Sequence, residues 1–116
     1  MARTPEGKIK DKVTALLRYH DIWYFFPASG PYGKSGIPDI IAVVKGAFWG
    51  LECKADETKK TTKLQDQTMK DIAESGGFCM VIDGDIALWN LGQILNDELL
   101  VPKVKQRLLG ANNASD

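Results

Sequence analysis

One histidine and two cysteines are all that the 116 residues contain of those types, and that scarcity removes several chemistries at once. Cys53, Cys79 and His20 are too few and too scattered to make a zinc site. An iron–sulfur cluster, which takes about four cysteines, is excluded on the same count. The two cysteines therefore read as buried thiols rather than as a disulfide. No apolar run approaches the ~20 residues needed to cross a bilayer, and the N-terminus carries no signal-peptide pattern. The expected location is the cytoplasm. Net charge is missing too, since 15 basic residues cancel 15 acidic ones. Composition alone thus offers no general attraction for nucleic acid, which usually rides on excess positive charge. Internal repeats and linkers are also absent.

What remains is an ordinary globular composition, 44% apolar, in a chain long enough for one domain. A domain of this size buries roughly two-thirds of its unfolded surface, so it needs no covalent staples. The domain is expected over residues 1–110, with 111–116 as a frayed tail. Basic residues gather at Arg3, Lys8, Lys10 and Lys12 and again at Lys54, Lys59, Lys60, Lys63 and Lys70. Such groups permit a phosphate-binding surface and are equally at home on a solvated face.

Hydrophobic periodicity and turn residues supply the elements. Thr4 caps a first helix, Pro5 suits its first turn, and Ile9, Val13, Leu16 and Leu17 share one face. The aromatic run from Ile22 to Phe26 reads as a strand stopped by Pro27. The glycine- and proline-rich stretch 27–37 reads as a loop. Asp39 to Val44 reads as a strand buried on both faces, and Ala47 to Lys54 as its hairpin partner across Lys45-Gly46. Thr62 caps a second helix running to about Ser75, closed by Gly76-Gly77. Phe78 to Ile82 is another strand, and the Asp83-Gly84 turn points to a short return strand over Ile86 to Trp89. Leu91 to Leu109 holds one or two helices, started or broken by Pro102. The fold class is therefore α/β, a mixed central sheet flanked by helices in the order αβββαβ.

Within this frame, three residues carry chemistry. Asp39 opens an apolar strand, where a carboxylate is costly without a charged partner or a metal. Glu52 and Lys54 are two residues apart on the partner strand and project from the same face, with Cys53 pointing the other way. A hairpin turning at Lys45-Gly46 sets Asp39 beside Glu52. Two carboxylates with a backbone carbonyl and waters suit Mg²⁺ or Mn²⁺, and the ammonium adds charge that hydrolysis of a phosphodiester requires. The plainer description is that Glu52 and Lys54 sit on the solvent face of an amphipathic strand and Asp39 in a turn.

Gly36-Ile37-Pro38-Asp39-Ile40-Ile41, followed by Leu51-Glu52-Cys53-Lys54 and then Gln65, resembles the PD-(D/E)xK nuclease superfamily. The spacing and the trailing glutamine resemble its VRR-NUC (virus-type replication–repair nuclease) domain, and the likeness runs from the first helix to about Ile82. The resemblance implies a restriction-endonuclease-like core, Mg²⁺ or Mn²⁺, and DNA as substrate. Such domains stand alone in phages and bacteria or serve as modules of larger repair enzymes, and stand-alone members resemble homodimeric Holliday-junction resolvases. Position by position, the likeness makes Asp39 and Glu52 the metal-binding acids, with the Cys53 carbonyl as a further ligand and Lys54 as the catalytic lysine. Glu6 stands where the family carries an acid on its first helix, although the helix dipole alone favours an acid there.

Gln65 and Gln67 compete for the motif glutamine. At about 100° per residue, Leu64, Met69, Ile72 and Ala73 define an apolar helix face with Gln65 near its middle and Gln67 almost opposite. An amide within an apolar stripe needs a polar partner, and a neighbouring active site supplies one, which favours Gln65. Lys34 and Ser35 on the glycine-rich loop are candidates for contact with DNA. Trp23, Tyr24, Trp49 and Trp89 can stack on bases, but core packing is the simpler role. The combined expectation is a metal-dependent endonuclease of branched DNA, such as a four-way junction, working as a homodimer. A nuclease of flaps or duplex ends, or a DNA-binding module without catalysis, is the alternative.

Overall fold

The computed structural model describes residues 3–28 and 35–97. Helix α1 spans Pro5–Tyr19, and the Thr4 hydroxyl accepts the Gly7 N–H at 3.0 Å, with Pro5 in the first turn. At its far end Asp21 turns into the left-handed region (φ 56°), and the Asp21 and Ile22 amides donate back to the Arg18 and Leu17 carbonyls at 3.1 and 2.9 Å. That paired cap reverses the chain into strand β1, Trp23–Phe25. Strands β2 (Ile40–Val44) and β3 (Ala47–Cys53) form the expected hairpin. Lys45 and Gly46 both have positive φ (54° and 83°), as a two-residue turn of this hand requires.

Helix α2 covers Lys63–Glu74 and β4 covers Phe78–Ile82. The next segment departs from expectation. Ile86 to Trp89 is no strand but lies within helix α3, Asp85–Leu95. Leu91 and Leu95, four residues apart, fall on one buried stripe that covers the sheet, a demand that two-residue alternation cannot meet. The remainder of the expected C-terminal helices, Pro102 and the tail 111–116 lie outside the described residues.

The four strands lie in the order β1-β2-β3-β4. β1, β2 and β3 pair antiparallel, whereas β4 joins β3 in parallel after the crossover through α2. Register then sorts the side chains into two faces. Ile40, Ala42, Val44, Leu51, Cys53 and Ile82 meet Ile9, Val13 and Leu17 of α1 and Leu91 and Leu95 of α3 in the main core. The opposite face carries Ile41, Phe48, Gly50 and Glu52, and α2 packs across it beside β4. Helices thus flank the sheet on both sides. Among the described residues, no helix is long and apolar enough to cross a membrane.

Candidate active site

Asp39 immediately precedes β2, and continuing the β2–β3 register sets it opposite Glu52. Two glycines make this corner possible. A Cβ on Gly50 would lie 2.7 Å from the ring of buried Pro38, so Pro38 can press on β3 only over a glycine. Gly36 has φ 79°, and a Cβ there would come 2.7 Å from the Leu64 carbonyl oxygen at the start of α2. The segment leading to Asp39 is therefore clamped between β3 and the first turn of α2.

Asp39 Oδ2 accepts the Cys53 N–H at 2.8 Å, fixing the carboxylate on the partner strand. Glu52 is only 2% exposed, and its Oε2 is buried with no hydrogen-bond partner. Burial pushes the Glu52 carboxyl up to about 8, helped by a hydrogen bond from the same carboxyl to Asp39 and by the charge of Asp39, against the pull of Lys54. Near neutrality Glu52 therefore keeps its proton in the metal-free chain. The Cys53 thiol is pushed up to about 12 by burial and by Asp39, so it stays a thiol and is no nucleophile.

Lys54 continues β3 by one residue, its N–H donating to the Ile82 carbonyl at 3.0 Å. Its Nζ donates to Gln65 Oε1 at 3.1 Å. The same Oε1 accepts the Thr62 N–H at 2.9 Å, while the Gln65 N–H donates to the Thr62 hydroxyl at 3.1 Å. Gln65 thus closes a reciprocal cap on α2 and holds the lysine with it. Helix phase selected this residue, but for a reason that the structure replaces. The face around Gln65 is not an apolar stripe, since Leu64 is half exposed and Thr68 is the buried residue of the helix. The readable signal was Thr62-x-x-Gln65 itself. Gln67 points away and donates to Asp71 at 2.9 Å.

Glu6 lies near this group and brings a residue that the motif reading did not single out. The Lys10 ammonium stands 3.6 Å from Glu6 Oε2 and 3.5 Å from Asp39 Oδ1, bridging α1 to the start of β2. Burial pulls its pKa down, but Asp39 and then Glu6 outweigh that, and the net shift is upward. The Glu6–Lys10 spacing of four was visible in the sequence, whereas the contact with Asp39 depends on how α1 crosses the end of the sheet. Of the DNA-contact candidates, Ser35 is exposed, and Lys34 lies outside the described residues. Trp23 and Trp89 are 64% and 66% exposed and so are not core residues, while Tyr24 and Trp49 pack against the core.

Chemically, the corner offers hard oxygen donors. The unpartnered Glu52 Oε2 beside Asp39 fits an oxygen-seeking divalent cation such as Mg²⁺ or Mn²⁺. Among the described residues, no three His, Cys, Asp or Glu side chains converge on one point, so the side-chain donors here are the carboxylate pair. No protein-family model matches the chain, and no curated protein is significantly similar to it. The chain does superpose on a solved structure described as a VRR_NUC domain, with a TM-score of 0.69 and 21% identity, covering 77% of this chain and 95% of that one. The fold is therefore the VRR-NUC fold, a mixed sheet flanked by helices.

Proposed function

We propose that the protein is a Mg²⁺- or Mn²⁺-dependent endonuclease that hydrolyses phosphodiester bonds in branched DNA, acting in the cytoplasm as a homodimer. The observation that carries this reading is the buried, unpartnered Glu52 Oε2 beside Asp39, with the Lys54 ammonium on the same face. Asp39, Glu52 and the Cys53 carbonyl would hold the ion, with Glu6 in reserve on α1. When bound, it would supply Lewis acidity toward a phosphoryl oxygen and toward water.

The side chains then have separate tasks. Glu52 must lose the proton that burial favours, which restricts the active form to conditions in which a cation compensates for its charge. Lys54 places a positive charge where the phosphate develops negative charge, and Gln65 keeps that ammonium from wandering into solvent. Exposed Lys59 and Lys60, between Lys54 and α2, and exposed Lys63 in its first turn offer phosphate contacts along the approach. A single domain of this size presents one such corner, so symmetric incision of a junction calls for two copies about a two-fold axis.

Labelled four-way junctions, flaps and plain duplexes, each incubated with EDTA, Mg²⁺ or Mn²⁺, test the reading directly. Cleavage of branched substrates in either metal and none in EDTA is expected. Asp39→Ala and Lys54→Ala should each lose about 10²-fold or more in rate. A Lys54→Ala protein that cuts as fast as wild type would remove Lys54 from the mechanism, and no cleavage of any substrate would leave a DNA-binding module.

A further inference from the structure

Lys10 differs from the cations of three other ion pairs among the described residues. The Arg3–Asp11, Lys12–Asp85 and Lys70–Glu74 pairs all lie on open surface, their basic side chains 55–66% exposed, whereas the Lys10 side chain is 29% exposed. A pairing with Glu6 four residues away on the same helix is a common surface arrangement. Reaching Asp39 as well is not, because it joins two elements at the corner that holds the carboxylate pair.

The engagement of each carboxylate oxygen gives this contact a consequence. Asp39 Oδ2 is taken by the Cys53 N–H, and Asp39 Oδ1 faces the Lys10 ammonium. Glu52 Oε2 has no partner. A divalent ion entering the corner therefore finds an open oxygen on Glu52, but Asp39 Oδ1 already faces a cation. An ammonium and a divalent ion on the same oxygen repel each other strongly when both are shielded from water.

We propose that Lys10 is the resident counter-ion of the Asp39–Glu6 pair and competes with the divalent ion, so that it sets ion affinity from inside the site. The inference rests on the metal-dependent reading given above. In the metal-free chain, Lys10 neutralises acids that would otherwise repel one another across α1 and β2, and ion entry requires its ammonium to move aside. The arrangement makes the site selective for cations that bind oxygen strongly enough to displace an amine. A charge within about 4–6 Å shifts an ionic equilibrium by roughly one to three decades, so removing this one should be easily measured.

Mn²⁺ binding to the full-length, metal-free protein, followed by calorimetry at low ionic strength and by the loss of the free-ion electron paramagnetic signal, tests the proposal without any turnover. Lys10→Met and Lys10→Gln should bind Mn²⁺ about tenfold more tightly than wild type. Lys10→Arg, which keeps the charge, should stay close to wild type, and Asp39→Asn should bind weakly whatever stands at position 10. Circular dichroism melting confirms that each variant is folded, and two neutral replacements guard against one that is not. Neutral variants that bind Mn²⁺ no more tightly than wild type would overturn the role of Lys10 while leaving the metal site standing. Absence of Mn²⁺ binding in wild type and neutral variants alike would overturn the metal-dependent reading, and this inference with it.

Discussion

Glu52 is nearly sealed from water, with one oxygen unpartnered and a second carboxyl beside it. Its protonation therefore links stability to pH. An unfolded chain ionises this carboxyl near 4.5, whereas the fold holds its proton up to about 8. Between those values the folded state binds the extra proton, so stability falls as pH rises and levels off above about 8. Urea denaturation in EDTA across pH 5 to 8.5 should show that decline in wild type. In Glu52→Gln it should be largely gone, and equal slopes for the two proteins would show that Glu52 is not the titrating group. Lys54 and Gln65 make the complementary point, because the lysine is placed by an amide whose own position is fixed by a helix cap.

At the scale of elements, α2 does more than cover the sheet. Its first turn meets Gly36 of the segment leading to Asp39, and its capping residue orients Gln65 toward Lys54. Thr62→Ala removes the acceptor of the Gln65 N–H and should cost about 1 kcal/mol of stability. Thr62→Ser should recover most of it. Chemical denaturation of the three proteins measures this, and an unchanged midpoint for Thr62→Ala would show that the reciprocal cap contributes nothing. The α1 helix has a similar double role, since Ile9, Val13 and Leu17 enter the core while Glu6 and Lys10 reach the carboxylate corner. Helix phase permits both, because Ile9 and Lys10 are adjacent in sequence and about 100° apart around the axis.

At the scale of the molecule, the described residues leave a broad apolar surface open. Trp23, Val43 and Phe48 are lateral neighbours across β1, β2 and β3, and Phe25 extends the same face. All four are substantially exposed, because α2 covers only the β4 side and leaves a groove of about 500 Å³ beside them. A patch of this kind marks an interaction surface more often than idle solvent contact, and it supplies uncharged area for the proposed two-fold dimer. Sedimentation equilibrium should give twice the chain mass at micromolar concentration. Trp23→Glu with Phe48→Glu should give the monomer mass without loss of helical circular dichroism. A wild-type monomer under those conditions would remove the dimer from the proposal.

Sequence by itself determined the features that depend on local period and turn chemistry. A two-residue turn at Lys45-Gly46 fixes the hairpin register, and register alone sets Asp39 opposite Glu52. Strand alternation puts Glu52 and Lys54 on one face, and the Thr62-x-x-Gln65 cap spacing singles out Gln65 over Gln67. Local pattern failed over Ile86 to Trp89, where a short apolar run after a turn signal suits strand and helix equally. Burial of Leu91 and Leu95 in the main core decided for helix. It failed again at Trp23 and Trp89, because an aromatic residue does not announce whether another element will cover it. Only the tertiary structure brought Lys10 to Asp39, a contact between residues 29 positions apart made where α1 crosses the end of the sheet. The carboxylate pair follows from neighbouring strands; its resident cation follows from the packing of a distant helix.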